Sequence, residues 1–275
     1  MSLDNGNYEL SDSELTGEGE ITRRLIKKDG FTVNGEEASK VYDGTIYYTL
    51  PAGATLTAVA DESGNTGIVT GDQPHLKFSL SSDATETYFT NEAGTETAQD
   101  VDTARKVAYA VDAETDAGYE YLLGNYKLGT SNEDAVDLDD STTGLHVSGA
   151  GHIDRRALTI TAEGVQNINK TYDTTDDVKN EGGSDYFTMG NGVKYGSNSL
   201  KLVSEEGTND GTSWNIIATY NDADVYHRDN DPQKEVVNNG KDVTFKVYID
   251  GTAAKNYTLN GQNAETYTSG NRLNL

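Results

Sequence analysis

Short runs of alternating apolar and polar residues recur along the whole chain. Leu158, Ile160 and Ala162 alternate with Thr159 and Thr161, Val107, Tyr109 and Val111 with Ala108 and Ala110, and Val243, Phe245 and Val247 with Thr244 and Lys246. A period of two sends successive side chains to opposite faces, so each run predicts a half-buried strand. Residues 46–50, 55–60, 76–80, 199–203 and 214–220 are predicted strands as well. Clusters rich in Gly, Asn and Asp separate them at 61–67, 91–96, 204–212 and 237–242. Such residues tolerate positive φ and mark turns. Residues 112–118 suit one helical turn or a loop. Many short strands at short spacing predict an all-β fold of antiparallel sheets, packed as immunoglobulin-like β-sandwiches or, alternatively, as β-grasp-like sheets.

The pattern is written twice. "KVYDGT" at 40–45 answers "KTYDTT" at 170–175, with Tyr42 and Tyr172 separated by 172 − 42 = 130 positions. "GEGEITRR" (17–24) answers "GAGHIDRR" (149–156). "GNYEL" (6–10), "GNYKL" (124–128) and "KNYTL" (255–259) form a third set, and the strand 107–111 answers 243–247. The shared order divides the chain into a first unit at 21–152 and a second at 153–275. Residues 1–20 remain as a leader that resembles the end of a preceding unit, with 5–19 expected to behave as a leftover strand. The opening "MSLDNG" reads as a cloned start on an excised fragment. Ile153 is expected in a strand that runs from one unit towards the next, with little slack, so the two units are predicted to lie in line.

Composition narrows the function classes. Of 275 residues only 34% are hydrophobic, which suits two small cores better than one large one. Tyr outnumbers Phe by 17 to 5, as suits half-exposed strands. A formal net charge of −25 argues against nucleic acid and anionic lipid as partners. Cysteine is absent, which removes disulfides, thiol catalysis and zinc–thiolate sites. No apolar run approaches the ~18 residues of a membrane span, so membrane insertion is not expected.

The ordered blocks Ile-x-Arg-Arg, Lys-x-Tyr-Asp, Asn-Tyr-x-Leu and a closing Gly-x-Gly-x-Ile resemble the YDG-type and MBG-type tandem repeats of large bacterial surface or secreted exoproteins, among them filamentous-haemagglutinin-like adhesins. The resemblance covers nearly the whole chain. Thr174 stands where Gly44 stands in the first unit, and the stretches about 60–100 and 180–235 look enlarged. The resemblance implies extracellular or cell-surface adhesin spacers that contact neighbouring repeats of the same chain. It also implies an extracellular ligand, a glycan or a host or bacterial surface protein, for the adhesive region.

The candidate chemistry is sparse. Lys40, Tyr42, Asp43 and Gly44, with Lys170, Tyr172 and Asp173, read as a conformational motif: Tyr inward, Asp capping the turn. A catalytic Lys or Asp and an intramolecular isopeptide bond are the alternatives. Asn125, Tyr126, Asn256 and Tyr257 read as a late strand, with a sugar-stacking platform as the alternative. Asp222, Asp224, Asp229 and Asp231 offer hard oxygens for calcium, as do Asp134, Asp137, Asp139 and Asp140; neither stretch follows the EF-hand spacing. The four histidines lack metal-ligand spacing, and neither a nucleophile elbow nor a distinctive carboxylate pair is present. The expectation is a non-enzymatic protein with no cofactor other than calcium. A direct binding module using the enlarged loops and Trp214, and a polysaccharide-acting enzyme, are the alternatives.

Overall fold

The computed structural model describes residues 16–58, 64–81, 86–162, 170–179, 182–197, 200–220, 226–227, 236–237 and 243–263. The first unit carries β1 (Arg24–Lys27), β2 (Thr32–Val33), β3 (Ala38–Val41), β4 (Leu56–Thr57), β5 (Leu76–Leu80), β6 (Thr87–Thr90), β7 (Lys106–Thr115), β8 (Tyr126–Gly129), β9 (Val136–Asp137) and β10 (Leu145–Asp154). Beyond it lie β11 (Arg156–Leu158), β12 (Ile160–Ala162), β13 (Thr188–Met189), β14 (Gly192–Tyr195), β15 (Ser213–Tyr220), β16 (Tyr226–His227), β17 (Val236–Val237), β18 (Val243–Asp250), β19 (Tyr257–Leu259) and β20 (Gln262–Asn263). Among the described residues, helix is confined to short 3₁₀ turns, at Glu120–Asn125, Val203–Glu205 and Thr252–Asn256. The fold is therefore β-rich.

The sheets are mixed, which corrects the antiparallel expectation. The order β3-β10-β7-β5 joins a parallel β3–β10 edge to antiparallel neighbours. β1 pairs parallel to β8, with Arg24 opposite Tyr126. In the second unit β11 pairs parallel to β19, with Arg156 opposite Tyr257. The two arginine motifs and the two Asn-Tyr motifs thus meet in the same register. A parallel pair between segments about 100 residues apart leaves no mark in a period-two pattern, which records faces and not partners.

Three local predictions need correcting. Residues 46–50 form no strand and make only the isolated bridge Tyr47↔Tyr88. Two backbone bonds flank that bridge, Tyr48 N–H to Thr87 O and Phe89 N–H to Ile46 O, while the Thr45 and Tyr47 carbonyls accept from the Lys40 ammonium. The strand predicted over 199–203 is not formed in its described part: residues 200–203 run into the turn at Val203–Glu205, and Leu202 and Val203 are buried as plugs. Residues 112–115 continue strand β7, and the helical turn comes later at Glu120–Asn125. The run 158–162 also breaks at Thr159, whose carbonyl accepts Gly196 N–H at 2.7 Å.

β10 positions the junction. It first pairs antiparallel with β7, then parallel with β3 from Gly151 to Asp154, and after one residue the chain enters β11. The buried apolar side chains form one continuous cluster from Ile26 to Leu259, where two separate cores were expected. Tyr42, Val203 and Tyr257 bridge the two halves of it.

Candidate functional site at the junction of the units

The Lys-x-Tyr-Asp motif folds the same way twice. Lys40 Nζ donates to Asp43 Oδ1 at 2.6 Å, to Thr45 O at 2.8 Å and Oγ1 at 3.0 Å, and to Tyr47 O at 2.8 Å. Lys170 Nζ lies 2.8 Å from Asp173 Oδ1 and donates to Thr175 O, Thr175 Oγ1 and Asp177 O at 2.7, 2.9 and 3.0 Å. In each loop the Asp carboxylate also accepts the backbone N–H two residues on, Thr45 or Thr175, at 2.9 Å. Each ammonium further sits over a ring, Phe89 or Tyr220. The hydrogen bond from Lys170, with the Thr175 donors, holds the Asp173 carboxyl down at about 2. Both lysines are saturated with oxygen acceptors, an arrangement that braces a turn.

The tyrosines differ. Tyr42 is fully buried, and its ring meets Tyr257 of the second unit edge to face at 5.4 Å. Both phenols donate to Asp210 Oδ2, Tyr257 at 2.6 Å and Tyr42 at 3.3 Å. The other Asp210 oxygen accepts Thr212 N–H and Oγ1–H at 3.0 and 2.6 Å. Burial, and then the nearby Asp210 carboxylate, push the Tyr42 phenol up to about 12. Burial and the hydrogen bond to Asp210 raise Tyr257 too.

Around this pair the remaining recurrent residues close the joint. Asn256 is fully buried; its amide donates to Asp100 at 2.7 Å and accepts Val101 N–H at 3.0 Å. Lys255 Nζ lies 3.1 Å from both Asp100 and Asp102. Burial alone would lower the Lys255 ammonium, but its bonds to Asp102 and Asp100 outweigh this and raise it. Arg156, 7% exposed, donates to Lys201 O at 2.7 Å, to Glu206 at 2.5 Å and to the Tyr42 carbonyl at 3.5 Å. Arg155 Nε donates to Lys255 O. Gly44 has φ 74°, and a Cβ there would come within 2.8 Å of Val203 Cγ1. A side chain would force the two units apart, so the glycine permits their close approach.

Tyr126 repeats half of this arrangement. Its hydroxyl donates to Asp72 at 2.7 Å and accepts Val69 N–H at 3.0 Å, as Tyr257 accepts Val203 N–H at 3.0 Å. Burial and the Asp72 bond push Tyr126 up to about 12. Asn125 is exposed, whereas Asn256 is buried. Tyr172 is 52% exposed, whereas Tyr42 is fully covered.

The other candidates are scattered. Asp222, Asp224, Asp229 and Asp231 lie outside the described residues. Asp137, Asp139 and Asp140 bring carboxylate oxygens within 4.8 Å of one another, but Arg23 already pairs with Asp137 and Asp139. Asp134 is spent on the Thr130 and Ser131 amides, which hold its carboxyl far below the usual range, and on Lys28. This donor set is one a guanidinium already neutralises, and it fits calcium poorly. His75 stacks on Tyr119 and meets Asp116, and His152 meets Glu37, so neither joins a metal set. Trp214 donates its indole N–H to Tyr195 at 3.0 Å. A cavity of about 230 Å³ beside β15 is lined by Asp177, Asp185, Phe187, Asn215 and Ile217 among others.

Sequence reasoning marked Tyr42, Asn256 and Tyr257 but missed their partners Asp100 and Asp210. Both lie in loops that differ between the units, so recurrence carries no signal for them. Comparison with family models, curated proteins and solved structures finds no match to this chain.

Proposed function

We propose that this chain is a pair of spacer units from a bacterial cell-surface or secreted adhesin-like protein, each a β-sandwich-like module, that carries tension and holds an adhesive region away from its anchor. The observation that carries the reading is the junction. The residues written twice in the sequence, Lys-x-Tyr-Asp and Asn-Tyr-x-Leu, are those that join one unit to the next through Tyr42, Tyr257 and Asn256. A binding or catalytic motif repeated twice would have no reason to meet the chain's other recurrent motif across a unit boundary, as Tyr42 meets Tyr257. The connecting strand β10 adds a second support, since its hydrogen bonds to β7 and β3 oppose a pull along the chain. A short, braced joint suits a spacer, which must transmit orientation as well as length.

Stretching the full chain by its two ends tests this. A spacer of two units gives two force-resisted steps, each releasing about 40–47 nm of contour at ~3.3–3.6 Å per residue. Smooth extension without resisted steps would contradict the reading.

A further inference from the structure

The 3₁₀ turn before the Asn-Tyr motif is built twice, at Glu120–Asn125 and at Thr252–Asn256, with different side chains at its start. Counting back from Tyr126 and Tyr257, Tyr119 stands where the second unit has Asp250, and Tyr121 where it has Thr252. The turn forms with either pair, so the backbone does not require aromatic rings there. Asp250 and Thr252 both remain exposed although the two units meet beside them. The positions of Tyr119 and Tyr121 therefore lie outside the surface that one unit presents to the other, and the joint does not require the rings either.

In the first unit these rings build a surface of their own. His75 lies face to face on Tyr119, with centroids 3.6 Å apart and planes within 7°. Tyr121 follows at 6.2 Å from Tyr119, tilted by 31°, and is 62% exposed. Polar groups are fixed around them. His75 Nδ1 donates to Asp116 Oδ2 at 3.0 Å, and Lys77 Nζ donates to Asp116 Oδ1 at 2.9 Å. Bonds from Lys77 and His75 hold the Asp116 carboxyl below its usual range. An ionised carboxylate only accepts, so it fixes the Nδ1–H form of His75 and leaves Nε2 for another partner. Glu120, between the two tyrosines, accepts Gly118 N–H at 3.1 Å.

We propose that His75, Tyr119 and Tyr121 form a platform for a neutral glycan, with one pyranose ring lying on the exposed Tyr121 ring and its hydroxyls bonded by the polar groups at the rim. Rings within 31° of one another share one orientation and make a platform, whereas a site for an organic cation boxes it in with steeply crossed rings. A sugar combines an apolar C–H face with hydroxyls that both donate and accept. That matches aromatic faces bordered by an ammonium, a carboxylate and an imidazole. A charge of −25 opposes nucleic acid and acidic sugars alike. A stable protein interface takes about 800 Å² from each partner, more than three partly covered rings offer. The inference stands on the side of the first unit and does not depend on the spacer role.

Saturation-transfer NMR of the full chain with cellohexaose, mannohexaose and chitohexaose, each at millimolar concentration, tests the proposal. At least one of the three is expected to bind, with transfer strongest to the C–H protons of one ring face. Tyr121→Ala is expected to weaken that binding about tenfold, whereas Tyr121→Phe, which keeps the ring, should hold it within about threefold. Tyr172→Ala removes a comparably exposed tyrosine elsewhere and should leave binding unchanged. Circular dichroism checks that each variant keeps its fold. Failure of all three sugars to bind overturns the proposal. So does binding that survives Tyr121→Ala, binding lost equally in Tyr172→Ala, or tighter binding of polygalacturonate or of trilysine than of any neutral sugar.

Discussion

Asp210 accepts hydrogen bonds from two tyrosines of different units, Tyr42 and Tyr257, within a buried ring pair. Asp210→Ala would leave both phenols without that acceptor and is expected to cost about 2–3 kcal/mol in denaturant unfolding. Asp72→Ala, which strands only Tyr126, is expected to cost about half as much. The same tyrosines set the alkaline limit. An unfolded phenol ionises near ~10, whereas Tyr42 and Tyr126 stay protonated up to about 12 in the fold. The folded state therefore binds more protons in this window. The stability they contribute is complete below pH ~10 and is lost as pH rises towards ~12, by about 2 kcal/mol for each tyrosine. Trp214 fluorescence through alkaline unfolding reads this, and Tyr42→Phe should flatten the decline. Asp173 acts at the other end: lowered to about 2, it adds stability above its unfolded value that fades as pH falls through 2. With Lys40 and Lys170 each held by four oxygen contacts in a turn, the intact mass is expected to equal that of the unmodified sequence. A mass lower by one ammonia or one water per unit would instead give the motif covalent chemistry.

The two copies of Gly-x-Gly-x-Ile share a sequence and differ in surroundings, which separates local preference from packing. Gly149→Ala is expected to cost about 2–3 kcal/mol by forcing β10 away from Phe31, whereas Gly17→Ala at high dilution should change stability by less than ~0.5 kcal/mol. Equal effects would mean that the glycines matter only for backbone freedom. Strands whose two faces differ were legible from the sequence: 107–111, 243–247, 76–80 and 214–220 lie within observed strands. Where a neighbouring side chain intervened, the pattern misled. Thr45 and Tyr47 lend their carbonyls to Lys40, and residues 46–50 make one bridge to Tyr88 and no strand. Leu202 and Val203 are apolar because they plug the joint beside Tyr257, and an apolar run does not say which of these it is.

At the scale of the molecule, the recurrence of motifs was legible but the way they meet was not. Asp210 has its counterpart in Asp72, but it stands seven residues after Val203 where Asp72 stands three after Val69, and Asp100 lies in a loop that differs between the units, so sequence recurrence did not announce either. The one continuous core follows from that meeting, since Tyr42 and Tyr257 carry apolar contact from one unit to the other. The central claim is that this joint holds the units in line. Small-angle scattering of the dilute full chain measures it most directly. Two β units in line, at ~3.3 Å per strand residue, make a rod of roughly 80–90 Å with a radius of gyration of about 25 Å, and that value is expected to persist across salt concentrations. A radius near ~19 Å, the value for one compact domain of this length, would mean that the units fold back on each other, and the account of the joint as a spacer would fail.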